Sequence, residues 1–233
     1  MTQTANFEVR RGDSRGTTDL GWLKSKHSFS FGQYRDPSRM GYRSLRVLND
    51  DVVAPGSGFG EHGHSDMEII SIVLEGALAH RDSTGTAGVI APGDVQVMSA
   101  GSGIRHSEMN GSETEPVHFL QVWIEPAQAG TVPGYAQQSF DAAGRAGAWQ
   151  RIGGDGGMPI GQDAAIDLSD IAAGASIDAG VGAGRFGYLH VATGSVRIDG
   201  VDLSAGDAVT FDGGSTLSIN GVQDAQILLF DLA

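Results

Sequence analysis

The sequence predicts an all-β fold in which one β module is used twice. Three observations predict it. Short runs of alternating apolar and polar residues recur at spacings of about ten residues, as in a sandwich or barrel. Glycine is abundant, 36 residues of 233 against 7 prolines, which favours short strands and tight turns over long helices. Finally, the chain echoes itself: LEGALAHRDSTGTAGVIAPGDVQVMSAG, from Leu74, is matched by ATGSVRIDGVDLSAGDAVTFDGG, from Ala192.

Taken in chain order, 45–53, 68–74, 77–81, 95–99 and 117–124 read as strands of the first module. Turn signals separate them: Ala-Pro-Gly at 54–56, Asp-Ser-Thr-Gly at 82–85 and Ala-Pro-Gly-Asp at 91–94. Strands 188–191, 195–199, 208–211 and 227–232 follow in the second module, with an Asp-Gly turn at 199–200. In each copy a glycine (Gly76, Gly194) precedes a strand and a Gly-Asp pair (Gly93-Asp94, Gly206-Asp207) precedes the next. Residues 128–187 are rich in Gly, Ala and Asp and hold the connection. The expected domains are 1–135 and 145–233.

The charge balance, 15 basic against 28 acidic residues for a net −13, argues against nucleic acid or an anionic membrane as direct partner. There is no cysteine, which excludes disulfides, thiolate metal sites and cysteine nucleophiles. No apolar stretch is long enough to span a bilayer, and the first residues carry no apolar signal segment. A soluble, cytoplasmic protein is the expectation.

Seven histidines occur. Two lie in Gly60-Glu61-His62-Gly63-His64 and a third in His106-Ser107-Glu108. On an extended chain, residues two apart point to one face, so His62 and His64 form one pair and His106 and Glu108 another. About three predicted strands separate the pairs, enough chain for an excursion that returns one beside the other. Three neutral imidazoles and a carboxylate suit a divalent first-row metal: Fe, Mn, Ni, Co, Cu and Zn all remain open. The other candidates have plainer readings. His27 is a satisfied structural histidine ahead of a pocket role, His80 stabilises a turn ahead of orienting a ligand, and His118 belongs to core or interface. Glu68 faces either the cavity or water. Phe29, Phe31 and Phe59 are core aromatics by default, with the wall of an apolar mouth for a flat aromatic substrate as the second reading, and Arg105 points away from His106.

The first half resembles the pirin family of bicupins. The resemblance rests on Lys26-His27-Ser28-Phe29-Ser30-Phe31-Gly32-Gln33-Tyr34, Leu45-Arg46-Val47-Leu48-Asn49-Asp50-Asp51, Gly58-Phe59-Gly60-Glu61-His62-Gly63-His64 and Met98-Ser99-Ala100-Gly101-Ser102-Gly103-Ile104-Arg105-His106-Ser107-Glu108. Within the family it is similar to bacterial pirin-like proteins described as quercetin 2,3-dioxygenases. The resemblance implies two cupin-type β-sandwich domains with few short helices. It implies metal ligation by His62, His64, His106 and Glu108, with Fe(II) the first choice. It also implies ring cleavage of a flavonol such as quercetin by O2 with release of carbon monoxide, Glu108 serving as base. The alternative is an iron-binding regulator of a transcription factor or metabolic enzyme, in which the metal is not catalytic. One departure from the family is visible: Gly63 replaces the usual proline, which would loosen the ligand segment. In the second copy the residue matching His106 is Ile219 and no His-x-His precedes Gly194, so that copy is expected to hold no metal.

Overall fold

A computed structural model describes residues 6–233. It contains β-strands, one 3-10 turn and a single short α-helix, Ala142–Arg145, as the glycine content and strand periodicity predict. No helix among the described residues is long and apolar enough to cross a membrane.

The chain divides into two compact units, each a large sheet and a four-stranded sheet. In the first unit the seven-stranded sheet runs Gly134–Ser139, Asp94–Ser99, Glu68–Glu75, Val117–Ile124, Leu45–Val53, Leu23–His27, Gly16–Asp19. Its four-stranded sheet runs Gly58–His64, Ile104–Asn110, Leu78–Asp82, Ala87–Ile90. In the second unit the six-stranded sheet includes Phe186–Thr193, Ala208–Asp212 and Ala225–Leu232. The second four-stranded sheet runs Ser176–Gly180, Thr216–Gly221, Ser195–Ile198, Val201–Ser204. The two four-stranded sheets follow the same order, so the echo in sequence is an echo in topology.

The division of the chain differs from the expected domains 1–135 and 145–233. Phe7–Arg10 pairs with Ala208–Asp212 and so belongs to the second unit. Phe7 and Val9 pack on that unit's core, and Arg11 and the Gly12 amide both bond the Asp207 carboxylate. Residues 158–162 belong to the first unit, with Met158 buried. A four-residue strand such as FEVR carries no local mark of the sheet it will join.

The repeated glycines have a common physical basis. Gly76 and Gly194 have φ of 77° and 70°, and Gly93 and Gly206 have φ of 94° and 91°, the left-handed region that favours glycine. A Cβ at Gly194 would also collide with the carbonyl oxygen of Asp224, whereas one at Gly200 (φ 87°) would meet nothing. Gly194→Ala should therefore lower the urea midpoint of the second unit more than Gly200→Ala does. The second change carries only backbone strain, roughly 1 kcal/mol. Equal losses would show that the close approach to Asp224 is not a constraint.

Candidate metal centre

The histidines are brought together by register. In the four-stranded sheet of the first unit His106 lies opposite His62, and Arg105 opposite Gly63. The pairing shifts between His106 and Glu108, whose partner is Phe59, while the same strand pairs regularly with its other neighbour, Glu108 opposite His80. The irregularity is thus a bulge at Gly60-Glu61. Such bulges re-aim side chains beside functional sites. Here the Gly60 carbonyl accepts a hydrogen bond from His62 Nδ1 at 2.8 Å. A carbonyl can only accept, so Nδ1 carries the proton and Nε2 keeps its lone pair.

Each of His62, His64 and His106 offers a ring nitrogen, and these atoms lie within 4.8 Å of one another. His62 Nε2 and His106 Nε2 are 3.0 Å apart, the separation of two nitrogens about 2.1 Å from a shared ion and at right angles. His62 and His64 are partly accessible and His106 is buried. An opening of about 370 Å³, bounded in part by His64, Ser83 and Arg105, reaches the cluster. Burial, and then the neighbouring imidazoles, push His64 down to about 4 and His106 down to about 3. Both rings are neutral at physiological pH, the state that binds metal.

Glu108 is fully buried beside them, its Oε2 4.0 Å from His106 Nε2. Burial raises its pKa, and hydrogen bonding from Gln121 opposes the rise. Gln121 Nε2 donates to both carboxylate oxygens at 3.0 and 2.8 Å. The Ser71 hydroxyl lies 3.2 Å from Glu108 Oε1 and 3.0 Å from Gln121 Oε1. Sequence reasoning did not single out Gln121 and Ser71. Their signal was available: Ser71 is the lone hydroxyl in EIISIVLE and Gln121 the lone amide in VHFLQVWI, both apolar strands. A buried amide or hydroxyl there needs a partner. The donor set (three clustered imidazoles, one with its tautomer fixed, and an adjacent buried carboxylate) fits a divalent metal.

The remaining candidates fall as follows. His80 bonds Asp82 at 3.1 Å, and both side chains are fully buried. Asp82 also takes the Thr84 hydroxyl and the Thr84 and Thr86 amides. Burial pushes Asp82 up, yet these bonds together hold it below the usual carboxylate range. His80 therefore braces the turn as expected, and its ring also lies 5.4 Å from that of His106. Glu68 is buried and accepts from Ser99 at 2.7 Å, so of its two readings the solvated one falls away. His27 is satisfied by Thr18 and Asn49. His118 is half-buried and paired with Asp50 at 2.7 Å, which raises its pKa. Arg105 is exposed and paired with Glu61. Phe29 is core, whereas Phe59 packs on Trp22 and near His62 and Phe31 lines a cavity. Gly63 lies in a paired strand, not a loop, and a Cβ there would come no closer than 3.7 Å to its surroundings.

Two β-sandwich units, the first with His-x-His and His-x-Glu on neighbouring strands, define a bicupin with one candidate metal centre among the described residues. The chain belongs to the pirin family: residues 8–124 match the family described as Pirin and residues 151–232 the quercetinase C-terminal cupin domain. It is 41% identical over 225 residues to the quercetin 2,3-dioxygenase of Escherichia coli strain K12, covering 96% of this chain and 97% of that one. It is 42% identical to a pirin-like protein of Caulobacter vibrioides, covering 95% and 97%. It also matches the crystal structure of the bacterial pirin YhhW from E. coli in complex with nickel(II), at 38% identity and TM-score 0.91, over 97% and 99% of the two chains.

In the second unit the register positions equivalent to those of the first unit's histidines are apolar. Ile219 pairs with Ile177 and Ile198, where His106 pairs with His62 and Asp82. All three isoleucines belong to the second core or pack on it.

Two outcomes follow from the electrostatics and the backbone. Because burial raises Glu108 while His64 and His106 are already neutral, Ni(II) binding should release more protons from wild type than from Glu108→Gln, by a margin that grows as the pH falls. Calorimetry in buffers of differing ionisation enthalpy reads the difference, and equal release would remove Glu108 from the titrating set. Gly63→Ala should raise stability by about 0.4–1 kcal/mol, by restricting the unfolded chain at a site with room for the methyl. A lowered urea midpoint would show that Gly63 is needed as glycine.

Proposed function

We propose that this protein is a metal-dependent, ring-cleaving dioxygenase of a flavonol such as quercetin, with His62, His64, His106 and Glu108 holding the metal. Fe(II) is the first choice of metal and the cytoplasm the place of action. The observation that carries the reading is the convergence of three imidazoles beside one buried carboxylate. The printed names of the relatives support the reaction class, and a chain without cysteine suits a reducing compartment.

When bound, the metal supplies a Lewis acid and template for the 3-hydroxyl and 4-carbonyl oxygens of the substrate. Glu108 accepts the 3-hydroxyl proton. Its raised pKa brings it nearer to neutrality, which improves a carboxylate as a base. Gln121 and Ser71 hold that carboxylate in place. The exposed edges of His62 and His64 leave the cluster reachable, which favours a working centre over a closed structural one. O2 is consumed, and the central ring opens with loss of one carbon as carbon monoxide.

The test is aerobic quercetin turnover after anaerobic loading with Fe(II), scoring flavonol absorbance and carbon monoxide together. Stoichiometric carbon monoxide is expected. It should vanish in His62→Ala and fall by about a hundredfold or more in Glu108→Gln, the usual share of a general base. No carbon monoxide with Fe, Mn, Ni, Co or Cu would reject the dioxygenase reading, and wild-type rates in Glu108→Gln would reject the base.

A further inference from the structure

A second cavity lies one aromatic ring away from the histidine cluster. It measures about 270 Å³, and its walls include Phe31, Tyr34, Met67, Trp123, Arg35 and Arg46. Trp123 is shared between the two features: its ring meets His64 edge-on at 4.8 Å and Phe31 edge-on at 5.3 Å. The indole N–H of Trp123 is buried and has no acceptor among the described residues, an unusual state for a buried indole.

Many arginines of this acidic chain are neutralised by ion pairs. Arg11, Arg105, Arg145, Arg151, Arg185 and Arg197 each pair with a carboxylate. Arg35 and Arg46 pair with none among the described residues. The one hydrogen bond from Arg46 goes to the Ser30 carbonyl at 2.9 Å, leaving most of its five donors unused. The nearby carboxylate of Asp36 is already taken by Ser38 and Arg39. Two uncompensated guanidinium groups beside an aromatic wall attract a planar anion.

The wall is built in advance. Phe31 and Tyr34 exchange backbone hydrogen bonds across a tight turn, with Gly32 at φ 57°. The Ser30 hydroxyl donates to the Asp36 carbonyl and accepts from the Asp36 amide, and the Ser30 amide donates to the Arg39 carbonyl. A preformed site spends little binding energy on ordering itself. Its volume falls just below the roughly 300–1,000 Å³ of sites for larger ligands, which points to one ring and not three.

We propose that this cavity binds a small, single-ring aromatic carboxylate, its ring against Phe31, Tyr34 and Trp123 and its carboxylate on Arg46 and Arg35. The site does not depend on the flavonol reading, and it needs no metal.

The test is calorimetric titration of the full-length protein, metal-free and loaded with Ni(II), using benzoate as probe and benzyl alcohol as its neutral match. Benzoate should bind once per chain with the same affinity in both forms, and benzyl alcohol roughly tenfold more weakly or worse, the value of a charged hydrogen bond. Arg35→Ala and Arg46→Ala should each weaken benzoate by roughly tenfold, and the conservative Arg46→Lys should recover part of the loss. Trp123→Phe, which keeps a ring and removes the N–H, should weaken it less. The proposal is overturned if benzoate fails to bind at millimolar concentration, if benzyl alcohol binds equally well, or if binding requires Ni(II). It is also overturned if folded Arg35→Ala and Arg46→Ala both bind benzoate as wild type does. Because binding is read without turnover, a failed dioxygenase assay leaves this result standing, and the reverse holds too.

Discussion

The pairing of His106 opposite His62, across two antiparallel strands, is the constraint on which the candidate centre depends. Side chains alternate along a strand, so a slip of one residue would turn every ligand to the other face. The bulge at Gly60-Glu61 adds the residue that lets His62 and His64 face inward while Phe59 still meets Glu108. The same bulge presents the Gly60 carbonyl that fixes the proton on His62 Nδ1. Register therefore settles both where the imidazoles point and which nitrogen His62 can offer. The neighbouring strand extends the arrangement by placing His80 opposite Glu108 and Asp82 opposite His106.

Around this pairing the first unit has accepted a polar interior. His80, Asp82, His106, Glu108, Gln96, Gln121 and Ser71 are all buried. Burying such groups is unfavourable unless they find partners, and Glu108 finds Gln121 and Ser71, Asp82 its turn amides. The second unit solves the same topology the opposite way, with Ile219, Ile177 and Ile198 at the matching positions and an apolar cluster around them. Isoleucine packing and the histidine cluster thus occupy equivalent places in two copies of one sheet.

Much of this was legible in the sequence because it is local. The strands, the Gly-Asp turns, the His62/His64 and His106/Glu108 pairs and the substitution by Ile219 all follow from spacing or from the internal echo. What escaped depends on partners distant along the chain. Phe7–Arg10 joins a strand some two hundred residues away, and nothing in four residues names that partner. The bulge exists only relative to the opposing strand. Phe31 reads either as core or as the wall of an apolar mouth, and only the tight turn at Gly32, which carries it to a cavity wall, decides between the two. Gln121 and Ser71 were visible as polar interruptions of apolar strands, but their common partner, Glu108, is supplied only by the fold.

The isoleucine triplet gives the two halves unequal relations with their surroundings. The second half is complete once the chain has folded, since its interior is all its own. The first half gathers three imidazoles that could hold an ion, and any species bound only by the folded form shifts the folding balance by mass action. With metal held as proposed, chelation would soften one half and leave the other untouched. In a cell, the lifetime of the chain against proteolysis would then follow the supply of the metal.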